Sequence, residues 1–479
     1  MNYETVIGLE VHLQLKTKTK AFCGCSTEFG KEPNSQVCPV CLGFPGSLPV
    51  YNKLALDYAI KVALALNCKV QEYTKFDRKN YYYPDLPKAY QISQYDLPLS
   101  RNGFVDIEVD GKSKTIGITR VHMEEDAGKL IHQEENSLVD YNRTGIPLLE
   151  IVSEPDIRSP EEAYEYLNHL KCIISYLDVS DCDMEKGSLR CDANISLRLP
   201  GVKEFGTKTE LKNLNSFKAV KDALNFEAQC QAGILEKGEK IIQETRLWDE
   251  KAQGTSSMRT KEGAQDYRYF PEPDLPPFII SAEKVEEVKK LIQELPHDKI
   301  LRFMKAYGLS EYDADILVRS KKDAEFSEEL LRDYPGSNKK PIANWLIGPI
   351  AALASSYNLC IHELEIPGGK VELINLVKAT EDGKISNLTA KSVFEKSISS
   401  KIAASTIIQS ENLTQVSDSD ALAPIVEETL KDNPKFVSDY KAGKTNVIMA
   451  LVGQVMKKSA GKANPKIVQE ILKRRLNDA

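Results

Sequence analysis

The sequence predicts an α+β protein: an N-terminal domain on a mostly antiparallel sheet, then a helical domain, then a small helical tail. Three observations predict it. Up to about residue 290, period-two strand patterns are broken by turns, and helical stretches interrupt them without regular alternation. The run 269–277 carries Pro271, Pro273, Pro276 and Pro277, too many for a helix or a central strand, and reads as the exit from the first domain. From Ser281 onward the apolar spacing is helical, and a polar break at 409–420 sets off the last segment. The expected domains are therefore 1–290, 291–408 and 409–479.

Residues 3–15 alternate, with Ile7, Leu9, Val11, Leu13 and Leu15 on one face and Glu10, His12 and Gln14 on the other. Asn102-Gly103 and Asp110-Gly111 are hairpin-type turn signals on either side of the strand pattern 104–109. Across 116–124, Arg120, His122 and Glu124 share a face, and Glu125 points away unless the strand ends or bulges there. Helical patterns follow Ser159-Pro160-Glu161-Glu162 and span 218–231. In 189–197, Arg190, Asp192 and Asn194 face opposite Leu189, Cys191, Ala193 and Ile195; in 205–213, Lys208, Glu210 and Lys212 share a face. Ser281 followed by Glu283 is an N-terminal cap with an early acid. The tail offers helices over 421–431, stopped by Asn433-Pro434, then 446–459 and 465–476.

Composition narrows the class. Hydrophobic content of 42% and charged content of 28% over 479 residues are those of an ordinary globular protein, with no repeat or low-complexity segment. The N-terminus lacks a signal-peptide pattern and no apolar run spans a bilayer, so a cytoplasmic protein without a membrane role is expected. With 63 Lys+Arg against 70 Asp+Glu, any nucleic-acid contact must use a local basic surface. From Lys441 to the end, nine Lys/Arg face only Glu470 and Asp478.

Cys23 and Cys25, followed twelve residues later by Cys38 and Cys41, can give four thiolates to one tetrahedral, structural Zn²⁺; four buried thiols is the plainer alternative. Cys68, Cys172, Cys182, Cys191, Cys230 and Cys360 are scattered and read as core or neutral residues. The acids and imidazoles on the strand faces suit Mg²⁺ completed by water and phosphate. Any one such strand reads better as a solvated polar face; four of them weaken that alternative. The stretch 77–91 interleaves Arg78, Lys79 and Lys88 with Tyr81, Tyr82, Tyr83 and Tyr90, either a grip for phosphate and base or a tyrosine-rich loop packed on the sheet. Gly443-Lys444-Thr445 mimics the end of a phosphate-binding loop, but Ser438 occupies the position of the earlier glycine.

Several ordered strings resemble the B subunits of the tRNA-dependent aspartyl/glutamyl amidotransferases. They include Val6-Ile7-Gly8-Leu9-Glu10-Val11-His12, Arg78-Lys79-Asn80-Tyr81 and Met123-Glu124-Glu125-Asp126-Ala127-Gly128-Lys129. Gly187-Ser188-Leu189-Arg190-Cys191-Asp192-Ala193-Asn194 and, in the tail, Gly453-Gln454-Val455-Met456-Lys457 also fit. The resemblance implies a cradle-shaped, glutamine-synthetase-like catalytic domain and a tail that contacts tRNA. It implies an ATP-dependent carbon–nitrogen ligase with glutamine as amido donor, acting on Glu-tRNA(Gln) or Asp-tRNA(Asn). It implies a heterotrimer completed by an amidase, the A subunit, and by a small linker, the C subunit. On that resemblance, Glu10, His12, Glu124, Glu125, Asp192 and Glu210 are assigned to Mg²⁺ and its waters, and Arg190, Lys79 and Lys88 to phosphates or the ammonia path. Since some relatives lack the four cysteines, zinc is not essential to the chemistry. The competing reading is a zinc-stabilised tRNA-binding scaffold without chemistry of its own.

Overall fold

The computed structural model describes residues 3–260, 267–414, 419–442, 444–459 and 463–478. It divides into two compact units, Met1–Pro296 and His297–Ala479. The first opens with β1 (Glu4–Gln14), α1 (Lys53–Ala65), β2 (Lys69–Val70), β3 (Tyr73–Thr74), β4 (Asp77–Asn80) and β5 (Tyr90–Ser93). There follow β6 (Ser100–Val109), β7 (Lys112–Glu125), β8 (Lys129–His132), β9 (Ser137–Asp140), β10 (Pro147–Ser153), α2 (Pro160–Leu177) and β11 (Leu189–Arg198). It ends with β12 (Thr209–Lys212), α3 (Phe217–Glu236), β13 (Glu244–Asp249), β14 (Gly254–Thr260), β15 (Phe270–Pro271), β16 (Phe278–Ile279) and α4 (Ala282–Lys289).

Nine strands form one sheet in the order β14-β13-β12-β11-β1-β10-β7-β6-β2. Its neighbours are antiparallel except β12 and β13, which run parallel. The alternation of β1 buries Ile7, Leu9, Val11 and Leu13 completely, against residues of α1, α2 and α3 such as Ile60, Leu167 and Val220. Each of those side chains contributes about 1.5–3 kcal/mol by leaving water. Helices α2 and α3 start where sequence says: Ser159 Oγ accepts from the Glu162 amide and Ser216 Oγ from the Ala219 amide.

Two turn signals separate in the structure. Asp110 and Gly111 take positive φ (51° and 71°) and close the β6–β7 hairpin. Asn102-Gly103 instead lies inside β6, because Gly103 sits so close to Leu66 and Cys68 that a Cβ would collide with the Cys68 sulfur. The proline-rich run also departs from its reading as an exit. β15 pairs with β4, Glu272 receives Arg78, and β16 pairs with β3, so the run straps back onto the first unit.

The second unit is helical, with α5 (Pro296–Tyr307), α6 (Glu311–Val318), α7 (Lys321–Asp333), α8 (Lys340–Trp345), α9 (Ala351–Ser356) and α10 (Lys370–Glu381). Next come α11 (Asn387–Ser400), α12 (Ala404–Ser410), α13 (Ser419–Asp432), α14 (Pro434–Lys441), α15 (Ile448–Lys458) and α16 (Pro465–Asp478). Leu422, Val426, Leu451, Val455, Val468 and Leu472 form a separate core within the last four. Pro434 starts α14 rather than merely ending the helix before it, since a first-turn proline has no amide to lose. Part of the polar break (415–418), Gly443 of the false phosphate loop and the 460–462 joining turn lie outside the described residues. No described helix is long and apolar enough to cross a membrane.

Candidate active site and cysteine cluster

The polar face of the sheet gathers the strand acids and imidazoles into rows. Register places Arg190 on β11 opposite His12 on β1, His12 opposite Glu150 on β10, and Glu150 opposite His122 on β7. Two residues along, on the same face, Asp192 pairs with Glu10. His12 Nε2 lies 3.6 Å from Glu150 Oε2 and 3.8 Å from Glu124 Oε1. His122 Nε2 lies 3.3 Å from the same Glu150 oxygen. Single donor atoms of His12, Glu124 and Glu150 all fall within 4.8 Å of one another.

Electrostatics separate the acid that the imidazoles compensate from the one that they do not. Burial, then the charges of Glu150 and Asp192, push the Glu10 carboxyl up. Burial would also raise Glu150, but His122 and His12 hold it well below the usual carboxylate range. Burial opposes charge on His12, yet its bond to Glu150 and the Glu150, Glu124 and Asp192 charges raise it to about 9. His122 Nδ1 is buried without a hydrogen-bond partner among the described residues. The carboxylate oxygens of Glu124 and Glu150, with Glu10 beside them, fit a hard divalent ion that keeps several waters; the His12 nitrogen suits orienting such a water.

Around this corner, Ser93 Oγ donates to Glu124 Oε2 at 3.2 Å and Asn194 Nδ2 to Glu10 Oε1 at 3.0 Å. Lys79 lies over Tyr267 (5.0 Å to the ring centroid); burial works against its charge, but Glu124, Tyr269, Tyr81 and Glu150 together push its ammonium up. Arg190 Nη2 meets buried Asp126 at 3.0 Å, and Gln14 Nε2 donates to the other Asp126 oxygen at 2.6 Å. Lys212 bridges Asp192 and Glu210, whose other oxygen accepts from Thr245 Oγ1 at 2.7 Å. So Asp192 and Glu210 are tied to each other by a lysine rather than standing as open carboxylates.

Glu125 goes elsewhere. Strand β7 ends on it, and its carboxylate pairs with Lys88 and accepts from the Ile92 amide at 2.9 Å. It does not join Glu124, because consecutive residues of an extended strand face opposite ways. Glu150 and Asp126, central here, escape the strand-alternation reading of the sequence. Glu150 sits between Leu148 and Val152 in an apolar run, so no alternation marks it; a lone acid inside such a run is the usable signal.

The sulfurs of Cys23, Cys25, Cys38 and Cys41 lie within 4.8 Å of one another. Hydrogen bonding from Cys23 pulls the Cys41 thiol down to about 5 against burial, with help from the Lys20 ammonium, whose Nζ lies 3.8 Å from the sulfur. Burial pushes Cys25 up to about 11. Four thiols that cannot all ionise without a cation form a donor set suited to tetrahedral Zn²⁺. The cysteine loop abuts Lys88: a Cβ on Gly43 would collide with its stem.

In the tail, Lys444, Lys458 and Arg475 pair with Asp439, Glu428 and Glu427, whereas Lys457, Lys466 and Lys473 are exposed.

Comparison with known proteins matches two family models: "GatB/GatE catalytic domain" over residues 5–286 and "GatB domain" over residues 325–476. A protein of Carboxydothermus hydrogenoformans, named as the B subunit of aspartyl/glutamyl-tRNA(Asn/Gln) amidotransferase, is 56% identical over 479 residues, covering 99% of each chain. A protein of the same name from Thermoanaerobacter sp. is 53% identical over all of both chains, and one from Thermodesulfovibrio yellowstonii is 51% identical over 98% of this chain and 99% of its own.

Proposed function

The chain belongs to the family of aspartyl/glutamyl-tRNA amidotransferase B subunits, and from that premise we propose that it activates the amino acid carried by a mischarged tRNA. The side-chain carboxylate of Glu on tRNA(Gln), or Asp on tRNA(Asn), attacks the γ-phosphorus of ATP and ADP leaves. Ammonia then attacks the acyl carbon, phosphate leaves, and Gln-tRNA or Asn-tRNA results. Phosphorylation is required because oxide is too poor a leaving group for direct amidation.

The observation that carries this reading is the crowding of Glu10, Glu124 and Glu150 about His12 on the sheet face away from the helices. Mg²⁺ held by Glu124, Glu150 and Glu10 would neutralise charge on the transferring phosphoryl group. His12, protonated or bound to water, orients the Glu150 and Glu124 oxygens. Lys79 and Arg190 remain cationic against burial and would hold phosphate oxygens. Lys212 sets Asp192 and Glu210. Lys88 is neutralised by Glu125, so this pair fits the wall of an ammonia path better than a phosphate clamp.

Its partners are the amidase, or A subunit, which releases ammonia from glutamine; a small C subunit; and tRNA met by the exposed tail lysines. The complex works in the cytoplasm. The four cysteines would hold a structural Zn²⁺. Asp192→Ala, assayed in the assembled complex with ATP, glutamine and mischarged tRNA, tests the reading. Loss of amidation with intact tRNA binding is expected; full activity would reduce this chain to a scaffold.

A further inference from the structure

In the second unit three different metal-donor side chains converge where neither the sheet nor the cysteine loop is involved. Asp323 lies in the first turn of α7, Cys360 caps the 3₁₀ turn Ile361–Glu363, and His362 lies within it. Donor atoms of Asp323, Cys360 and His362 all lie within 4.8 Å of one another. Ligand atoms at about 2.0–2.3 Å from a tetrahedral Zn²⁺ are roughly 3.3–3.8 Å apart, so these donors are spaced closely enough for small side-chain adjustments to bring them onto one ion.

The turn is held in place for this. Asp323 Oδ1 accepts from the His362 amide at 3.1 Å and contacts His362 Nδ1 at 2.6 Å. The Cys360 amide donates to Glu363 Oε2 at 2.9 Å. Burial, then the charges of Asp323 and Glu363, push the Cys360 thiol up against the opposing pull of Lys322. Cys360 is also exposed rather than a core thiol, so a dissolved ion can reach it.

We propose that Asp323, Cys360 and His362 form a second divalent-metal site, separate from the amidation chemistry. One sulfur, one imidazole nitrogen and one carboxylate oxygen select a zinc-class ion over Mg²⁺. The fourth position is left to water or Glu363. On binding, the Cys360 thiol proton passes to solvent and the sulfur coordinates as thiolate.

The test is metal stoichiometry of the full chain equilibrated with Zn²⁺, on wild type and the variants Cys360→Ser, His362→Gln and Cys38→Ser. Wild type should hold about two zinc ions, and Cys360→Ser, His362→Gln and Cys38→Ser about one each. Two ions retained by both Cys360→Ser and His362→Gln would overturn the proposal, whatever Cys38→Ser does. Alkylation of Cys360 by iodoacetamide, read by mass spectrometry, gives a second readout. Zn²⁺ should slow it at least ~10-fold in wild type but not in His362→Gln, since losing one ligand weakens metal binding by more than the ~10–100-fold cost of an outer-shell change. Equal protection in both would overturn the proposal.

Discussion

Replacing Lys88 by Met removes the cation that faces Glu125 inside the first unit. The two side chains are 7% and 2% exposed, so no solvent replaces the lysine. Breaking a buried ion pair from one side costs about 3–5 kcal/mol. Glu125 keeps the Ile92 amide, and Met preserves the stem packed on Gly43, so the cost should fall near the lower end, about 3 kcal/mol. The chain has two tryptophans, and Trp248 is buried in the first unit while Trp345 belongs to the second. In a Trp345→Phe background, urea unfolding followed by fluorescence therefore reports the first unit alone. With a urea slope of about 3 kcal/mol/M, the midpoint should fall by about 1 M. Adding Glu125→Gln to Lys88→Met should recover a large part of the loss, because no buried charge then remains unpaired. A midpoint shift under about 0.3 M, or a double variant no more stable than the single one, would refute the reasoning.

In the helical unit, Arg302, then Lys299, hold Glu328 down to about 2 against burial. The folded value lies below the ordinary 4.5, so its contribution is present above about 4.5 and lost as pH falls through about 2. Discounted for solvent screening, Glu328→Gln should cost about 1–2 kcal/mol at pH 7 by Trp345-monitored unfolding, with the gap closing towards pH 2. Charge reversal of Lys457, Lys466 and Lys473 should weaken tRNA binding and flatten its log–log salt slope by about 2, without affecting glutamine hydrolysis by the complex. This is a cleaner test than deleting the tail from Lys441, which would remove the core around Leu451, Val468 and Leu472. Adding a chelator to the zinc-equilibrated chain should expose the 23–50 loop to protease cleavage while leaving the sheet folded; unchanged cleavage would argue against a metal at the four cysteines.

Strand faces were legible because one side of the sheet is covered by helices: β1 and β11 alternate in burial, and β7, although buried throughout 121–125, keeps the same alternation of direction, so His122 and Glu124 share a face and Glu125 does not. β10 was opaque for the opposite reason. Leu148 and Val152 share a face with Glu150, so a central strand with mixed faces hid the acid that both histidines approach. Alternation also flagged Glu125 as a misfit but could not name Lys88, which arrives from a loop distant in sequence. Asn102-Gly103 shows the limit of dipeptide signals: the same pair serves a turn or a close backbone approach, and only tertiary packing chooses.

The most direct test of the central claim is Glu150→Gln in the assembled complex, measured as amidation of mischarged tRNA against Mg²⁺ concentration, with tRNA affinity in parallel. The change keeps the shape and removes the charge shared by His12 and His122. Amidation should fall by about 10²–10³-fold, as for removal of one preorganised electrostatic group. The Mg²⁺ requirement should rise and tRNA affinity should not move. Wild-type amidation with an unaltered Mg²⁺ dependence would contradict the placement of phosphoryl transfer at this corner.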